Sequence, residues 1–192
     1  MAIYKIFPYK DTTIYSQYPN MSSGLDAISE VTNKIGIEGT PDVSRFITQF
    51  DTLEIQNIID NLIGSNSWDV NFKSFIADAY GITLDSTLEI YPLAQDWNNG
   101  TGEFLDTPIT TNGASWAFSD YGGGTSWSGA GSVGTELFTS SYNSNYTSQG
   151  GGNWFYSGSG VSSYRVTQSF DLRSDKDLNV GVKTIVSKWY SG

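Results

Sequence analysis

Four residues with oxygen-bearing side chains are close together in the sequence, in a predicted loop rich in glycine and asparagine. They are Asp96, Asn98, Glu103 and Asp106. Carboxylate and amide oxygens are the ligands that Ca²⁺ prefers, and the ion takes about six to eight of them. Their order does not match an EF-hand, and glycine-rich loops also use such side chains for turn hydrogen bonds. The residue types therefore leave open both a calcium site and a purely structural role.

The same carboxylates are the remaining candidates for catalysis. The chain contains no cysteine and no histidine, which removes thiolate nucleophiles, Ser-His-Asp triads and the commonest general base. A glycosidase would need two carboxyl groups ~5–9 Å apart. The triple glycines at 122–124 and 150–152 match no phosphate-binding pattern and have no basic residue nearby. We therefore predict a protein that is not an enzyme and binds no cofactor.

The charge of the chain limits its partners. The formal net charge is −10, and no lysine or arginine occurs between Lys73 and Arg165. Such a surface repels phosphate backbones and anionic lipid headgroups. The N-terminus has no apolar run after a basic segment, and no stretch reaches the ~18 apolar residues of a membrane helix. We expect neither nucleic acid nor a membrane as a partner, and no signal peptide.

Alternating side chains predict strands on both sides of the candidate loop. The predicted N-terminal strands lie in residues 3–18 (one broken or two short), 26–38 (a pair), 44–51, 68–81 and 88–93. A helical turn is the alternative for 26–36, and the β-branched residues and glycines there favour strands. In 68–81, Val70 and Phe72 would face inward, with Phe75 as a further candidate. Strands at 164–171 and 178–182 follow, and a short helix begins near Ile185. The length suits one domain.

One segment has a helical period instead. Apolar residues recur at spacings of three to four between positions 53 and 63. Asp51 stands at the N-cap position with Glu54 three residues later, and Gly64 offers a stop. The sequence therefore predicts one short helix at about 53–63 within a mainly β protein.

Two tryptophans, Trp97 and Trp116, frame the loop that holds the carboxylates. Beyond it, residues 98–163 form a long insertion with most of the glycines and a recurring series of aromatic residues. Rings at this density indicate an ordered segment that packs on its own core, on a protein partner or on a glycan. The candidate binding surface comprises Trp116, Trp127, Tyr142, Tyr146, Trp154, Phe155 and Tyr156. Trp97 and Trp189 are predicted to be buried structural anchors.

Several fragments, in order, resemble domains of the DNRLRE type. They are KDTTIY at 10–15, SRFITQFD at 44–51, LEIYPLAQDWNNGTG at 88–102, GASW at 113–116 and DLNVGVKTIVSKWYSG at 177–192. The helix-like segment at 53–63 and the Gly/Ser-rich insertion depart from that pattern. In such domains another strand follows the last fragment, so we expect the chain to continue past Gly192.

The resemblance implies an antiparallel jelly-roll-like β-sandwich, similar to carbohydrate-binding modules. The form with the long loop is most similar to virion structural proteins of large tailed bacteriophages. It implies a protein located in the virion, present in multiple copies and in contact with other virion proteins. The alternative is a carbohydrate-binding module in which Trp97, Trp116, Trp127 and Trp154 stack on a glycan.

Overall fold

The computed structural model describes residues 2–35, 41–80, 85–93, 95–127, 166–171 and 177–191. The protein is mainly β, with 32% strand against 16% helix, so the predicted fold class is confirmed at that level. The described strands form one antiparallel sheet of three strands and three antiparallel pairs. The jelly-roll arrangement stays a prediction.

The chain divides into two compact units, each made of segments that are distant in the sequence. The helical unit contains Met1–Phe7, Asp51–Pro92 and Gly158–Gly192, and the loop unit contains Pro8–Phe50 and Leu93–Ser157. Residues 98–127, the described start of the predicted insertion, therefore belong to the same unit as the first strands. The organisation as one domain with an insertion stays a prediction.

A three-stranded sheet is the base of the loop unit. Strand β3, Pro41–Gln49, lies between β1, Lys10–Tyr15, and β2, Thr32–Ile35. Of the two alternatives for 3–18, the described residues contain one strand, β1. Within 26–38 a pair was predicted and the described residues, which end at 35, contain one strand, β2. Pro8 has no N–H to donate to a ladder, which accounts for the start of β1 after it.

The loop unit also contains a small hairpin. Strands β6, Phe118–Asp120, and β7, Thr125–Ser126, pair across the triple glycine at 122–124. Gly124 has a φ of 68°, which glycine adopts without strain, and its N–H donates to the Tyr121 carbonyl at 3.0 Å. The Asp120 carboxylate accepts from the Gly123 N–H at 3.0 Å. The glycines thus serve a tight turn.

The predicted helix is present in the helical unit. It begins as α1, Thr52–Asn57, and continues as a π-helical segment, Ile58–Ile63. The Asp51 carboxylate accepts from the backbone N–H groups of Leu53 and Glu54 at 2.8 and 3.4 Å, so the predicted N-cap is confirmed. Gly64 ends the helix with a φ of 61°, as expected for a residue with no Cβ.

The described part of this unit also contains two strand pairs and a second helix. Strand β4, Asn71–Phe75, pairs with β9, Asp177–Gly181, and β5, Asp85–Ile90, pairs with β8, Val166–Asp171. Helix α2, Lys183–Ser191, confirms the expected short helix near the end of the chain.

Two inward-facing side chains were predicted wrongly in this unit. Phe75 is 76% exposed, because the side chains of β4 alternate and Phe75 lies on the outward face with Asn71 and Lys73. Trp189 is 39% exposed rather than a buried anchor. Helix α2 instead turns Ile185 and Val186 inward, at 3% and 5% exposure, because a helix of 3.6 residues per turn buries only one stripe.

Candidate interaction surface

A buried hydroxyl fixes the segment that follows β1. The Ser23 hydroxyl donates to the Thr13 carbonyl at 2.6 Å and accepts from the Thr13 N–H at 3.2 Å. The Ser23 hydroxyl therefore bonds both backbone groups of Thr13, as the backbone of a neighbouring strand would. Because both groups of Thr13 are satisfied in a buried place, this contact holds residues 21–26 against the sheet.

The loop at 95–116 is attached in turn to that segment. Backbone N–H groups of Ser22 and Leu25 donate to the carbonyls of Thr110 and Gly102, at 3.0 and 2.9 Å. The Asn99 side chain donates to the Gly24 carbonyl at 2.7 Å. Three bonds between two irregular segments order a loop that has no regular secondary structure of its own.

Glycines permit the close approach of these backbones. A Cβ added to Gly24 would lie 2.1 Å from the Asn99 carbonyl oxygen, and one added to Gly113 would lie 2.4 Å from the Gly100 Cα. Gly100 also has a φ of 74°. Because the facing atoms are backbone, no side-chain movement relieves such a clash. The glycines of QDWNNGTG and NGASW are therefore required by packing.

Lys10 connects the start of this loop to β1. Its ammonium lies 2.9 Å from an Asp96 carboxylate oxygen, donates to the Trp97 carbonyl and lies 4.7 Å from the centre of the Trp97 ring. The hydrogen bond from Lys10, followed by that from the Trp97 N–H, lowers the pKa of Asp96. Asp96 is 83% exposed, so the pair is screened by water and contributes little to stability.

The three tryptophans of the loop unit that the structure describes are buried. Trp97, at 5% exposure, confirms the predicted anchor. Trp116 and Trp127, which the sequence placed on a binding surface, are 6% and 4% exposed, so that expectation is wrong for both. The Trp127 indole N–H donates to the Ser115 carbonyl at 2.9 Å, and the Arg45 guanidinium lies 4.8 Å from the Trp116 ring centre. These rings serve the core rather than a ligand.

The remaining members of the predicted surface lie outside the described residues. They are Tyr142, Tyr146, Trp154, Phe155 and Tyr156.

The four calcium candidates are not brought together. Asp96 pairs with Lys10, and the Asn98 amide donates to Asp120 at 3.3 Å. Asp106 accepts from the Glu103 N–H at 2.8 Å and from the Thr110 hydroxyl at 3.1 Å. Among the described residues no group of three acidic, histidine or cysteine side chains is placed to hold a metal. Of the two roles left open by the sequence, the contacts of these four residues fit the structural one: Asp106 makes turn hydrogen bonds, and Asp96 and Asn98 bond to residues distant in the sequence.

An apolar surface that the sequence analysis did not single out lies on the two joined segments. We call it the Leu105 surface and define it by Leu25, Phe104, Leu105 and Ile109, which are 57%, 41%, 45% and 47% exposed. Beside Leu25, the Asp26 carboxylate accepts from the Phe104 N–H at 2.9 Å. Apolar residues within a Gly/Asn-rich loop were the available signal, because loops of that composition are normally polar.

The Leu105 surface is held from beneath by the sheet and its following turn. The Phe104 ring lies 4.8 Å from the Tyr15 ring and 5.9 Å from the Tyr18 ring, measured between centres. The Leu105 N–H contacts the sulfur of buried Met21 at 3.4 Å. Leu105 also has a φ of 57°. This left-handed conformation is uncommon for leucine and costs about 1 kcal/mol or more, so the surrounding contacts must impose it.

Comparison with known proteins gives no further guide to this surface. No family model matches the chain, and neither a curated protein nor a solved structure matches it. In the part of the chain that the structure describes, no helix has the length and apolar character needed to cross a membrane.

Proposed function

We propose that this protein is a non-enzymatic structural component of a virion of the tailed-phage kind, and that it acts through protein–protein contacts. The observation that carries the proposal is the Leu105 surface: four partly exposed apolar side chains, three on a loop that backbone bonds and glycine contacts fix in place and one on the segment to which that loop is bonded. A preordered apolar surface loses little conformational entropy on binding, and such surfaces commonly mark interaction sites.

The resemblance to DNRLRE-type domains supports the virion setting. Two of its fragments, KDTTIY and the QDWNNGTG loop, are the two parts that Lys10 joins through Asp96 and Trp97. The loop therefore acts as a scaffold that presents side chains, which suits a protein whose task is assembly.

The carbohydrate-binding alternative gains no specific support. Stacking on a sugar requires an exposed indole face, and the described tryptophans of the loop unit, Trp97, Trp116 and Trp127, are each 6% exposed or less. We therefore keep protein–protein contact as the proposed mode of action.

Mass spectrometry of purified virions from the source tests the proposal. The protein should be present in a fixed ratio to the capsid and tail proteins after washing in high salt. Its absence from the particles would contradict the proposal. A glycan array forms the second arm, and saturable binding to one sugar class, abolished by excess free sugar, would favour the alternative.

A further inference from the structure

We propose that the Leu105 surface binds a polypeptide segment of a different protein in which large apolar side chains alternate with lysine or arginine. This inference rests on the proposed function and names the chemistry of its partner. It follows from three properties of the surface: its apolar side chains, the sign of the charges around them and the conformation of Leu105.

The two segments that carry the surface have charges of one sign. The segments 18–33 and 95–127, which carry it, contain six carboxylates and no lysine or arginine. Of these, Asp26, Glu103 and Asp106 lie next to the apolar side chains in the sequence, and only Asp96 is paired with a lysine among the described residues. An apolar surface with such a margin is complementary to an apolar segment that carries cations.

Asp26 adds a second electrostatic observation. One of its carboxylate oxygens accepts from the Phe104 N–H at 2.9 Å. The other is buried and has no hydrogen-bond partner among the residues that the structure describes. A carboxylate under the surface with no cation opposite it attracts positive charge, because a partly buried charge is screened less than an exposed one.

The same charges argue against a second copy of this chain as the occupant. In a two-fold dimer the same surface patch is used by both copies. Asp26, Glu103 and Asp106 of each copy would then oppose those of the other, and like charges facing each other across an interface disfavour association. A basic partner removes that repulsion.

Leu105 is the expected centre of the contact. Its left-handed backbone, φ 57°, and its N–H contact with buried Met21 hold the side chain at 45% exposure. Strained residues of this kind cluster at binding sites, where the surrounding structure maintains them. A side chain held in this way does not have to be ordered again when a partner binds.

The test uses the full chain and a defined probe. A fluorescein-labelled peptide of alternating leucine, phenylalanine and lysine is titrated with the protein in fluorescence anisotropy at about 0.15 M salt, where screening acts beyond roughly 8 Å. Its twin carries glutamate in place of each lysine. We expect saturable binding of the first peptide and at least tenfold weaker binding of the twin.

Two pairs of variants separate this surface from the rest of the molecule. Leu105→Asn removes the apolar side chain while suiting the left-handed backbone, and Leu53→Asn changes a leucine of α1 that is 71% exposed. Glu103→Lys and Asp177→Lys alter the net charge by the same amount, and Asp177 lies in β9 of the helical unit. We expect about tenfold weaker binding for Leu105→Asn and about threefold or more for Glu103→Lys, as for changes at the centre and the rim of an interface.

Three results would overturn the assignment. They are no binding of the lysine peptide, equal losses in Glu103→Lys and Asp177→Lys, and sedimentation that shows a dimer dependent on Leu105. Each would leave the proposed virion role standing, because mass spectrometry of particles measures membership without reference to this surface. If the protein is absent from the particles but binds the lysine peptide, the virion role is contradicted and the assignment of the Leu105 surface stands.

Discussion

Replacement of Gly113 by alanine tests whether the loop at 95–116 is fixed by backbone packing. The added Cβ would lie 2.4 Å from the Gly100 Cα, 2.5 Å from the Gly100 N and 2.7 Å from the Asn99 carbonyl carbon. All three atoms are backbone, so the substitution forces the two facing backbone segments of the loop apart by about 1 Å, toward ordinary van der Waals separation.

The expected cost follows from the packing of interiors. Extra methyl groups in a well-packed place cost about 1–3 kcal/mol, and a rigid backbone neighbour places Gly113→Ala near the upper end. For a chain of this size, about 3 kcal/mol lowers Tm by roughly 6–12 °C. The matched control is Gly181→Ala in β9, where the nearest atom to the added Cβ is 4.0 Å away. Its effect should lie within about 0.5 kcal/mol.

Urea denaturation followed by tryptophan fluorescence provides the assay, because Trp97, Trp116 and Trp127 are all buried in the loop unit. Gly113→Ala should lower the midpoint while the m-value stays unchanged. If Gly113→Ala and Gly181→Ala unfold at the same midpoint, the loop is not packed as described and the reasoning fails.

Three further substitutions probe single contacts. Trp127→Phe removes the donor to the buried Ser115 carbonyl and should lower the free energy of unfolding by about 1–3 kcal/mol, and an unchanged urea midpoint would refute this. Asp51→Ala should cost about 1 kcal/mol and Asp51→Asn much less, and helix content followed by circular dichroism during urea unfolding checks both, with equal losses contradicting the cap. Because Lys10 lowers the pKa of Asp96, the pair stabilises the fold above the unfolded-state pKa of about 3.9, and this contribution is lost as the pH falls through the lower folded-state pKa. Lys10→Met should therefore be less stable at neutral pH and lose less stability on acidification below about pH 4, and parallel pH profiles of Tm would contradict the pairing.

Local patterns predicted several of the regular elements. The helix at 53–63 was marked by its period, its N-cap aspartate and its terminal glycine, and all three are determined by residues a few positions apart. Strand β9 was marked by alternation, and Leu178 and Val180 are buried at 6% and 3% exposure while their neighbours face out. Such features can be predicted from one sequence, because they depend on residues that are near one another in the chain.

The loop unit could not be predicted in the same way. Its contacts join residues distant in sequence, such as Lys10 with Asp96, which are 86 positions apart. Irregular backbone has no period that would identify Gly102 as the partner of Leu25. The composition indicated that the loop is ordered. Which other residues it bonds to depends on tertiary contacts, which the composition does not show.

The roles of the tryptophans show a second limit. Large aromatic area suits both a buried anchor and a binding platform, so residue type does not separate them. The structure assigns Trp97, Trp116 and Trp127 to the core and leaves smaller apolar side chains exposed on the Leu105 surface. The carboxylates behave similarly: Asp96 and Asp106 suit both calcium and structural contacts, and the structure gives Asp96 an ion pair with Lys10 and Asp106 a turn hydrogen bond.

Site-specific photo-cross-linking in assembled particles tests the central claim most directly. A benzophenone amino acid at position 105, with position 53 as the matched exposed control, is irradiated in purified virions that contain the protein. The account predicts one dominant cross-linked product from position 105, joined to a lysine- or arginine-rich segment of another virion protein, and little product from position 53. Particles that contain the protein but give no product at position 105, or give only the homodimer, would contradict it.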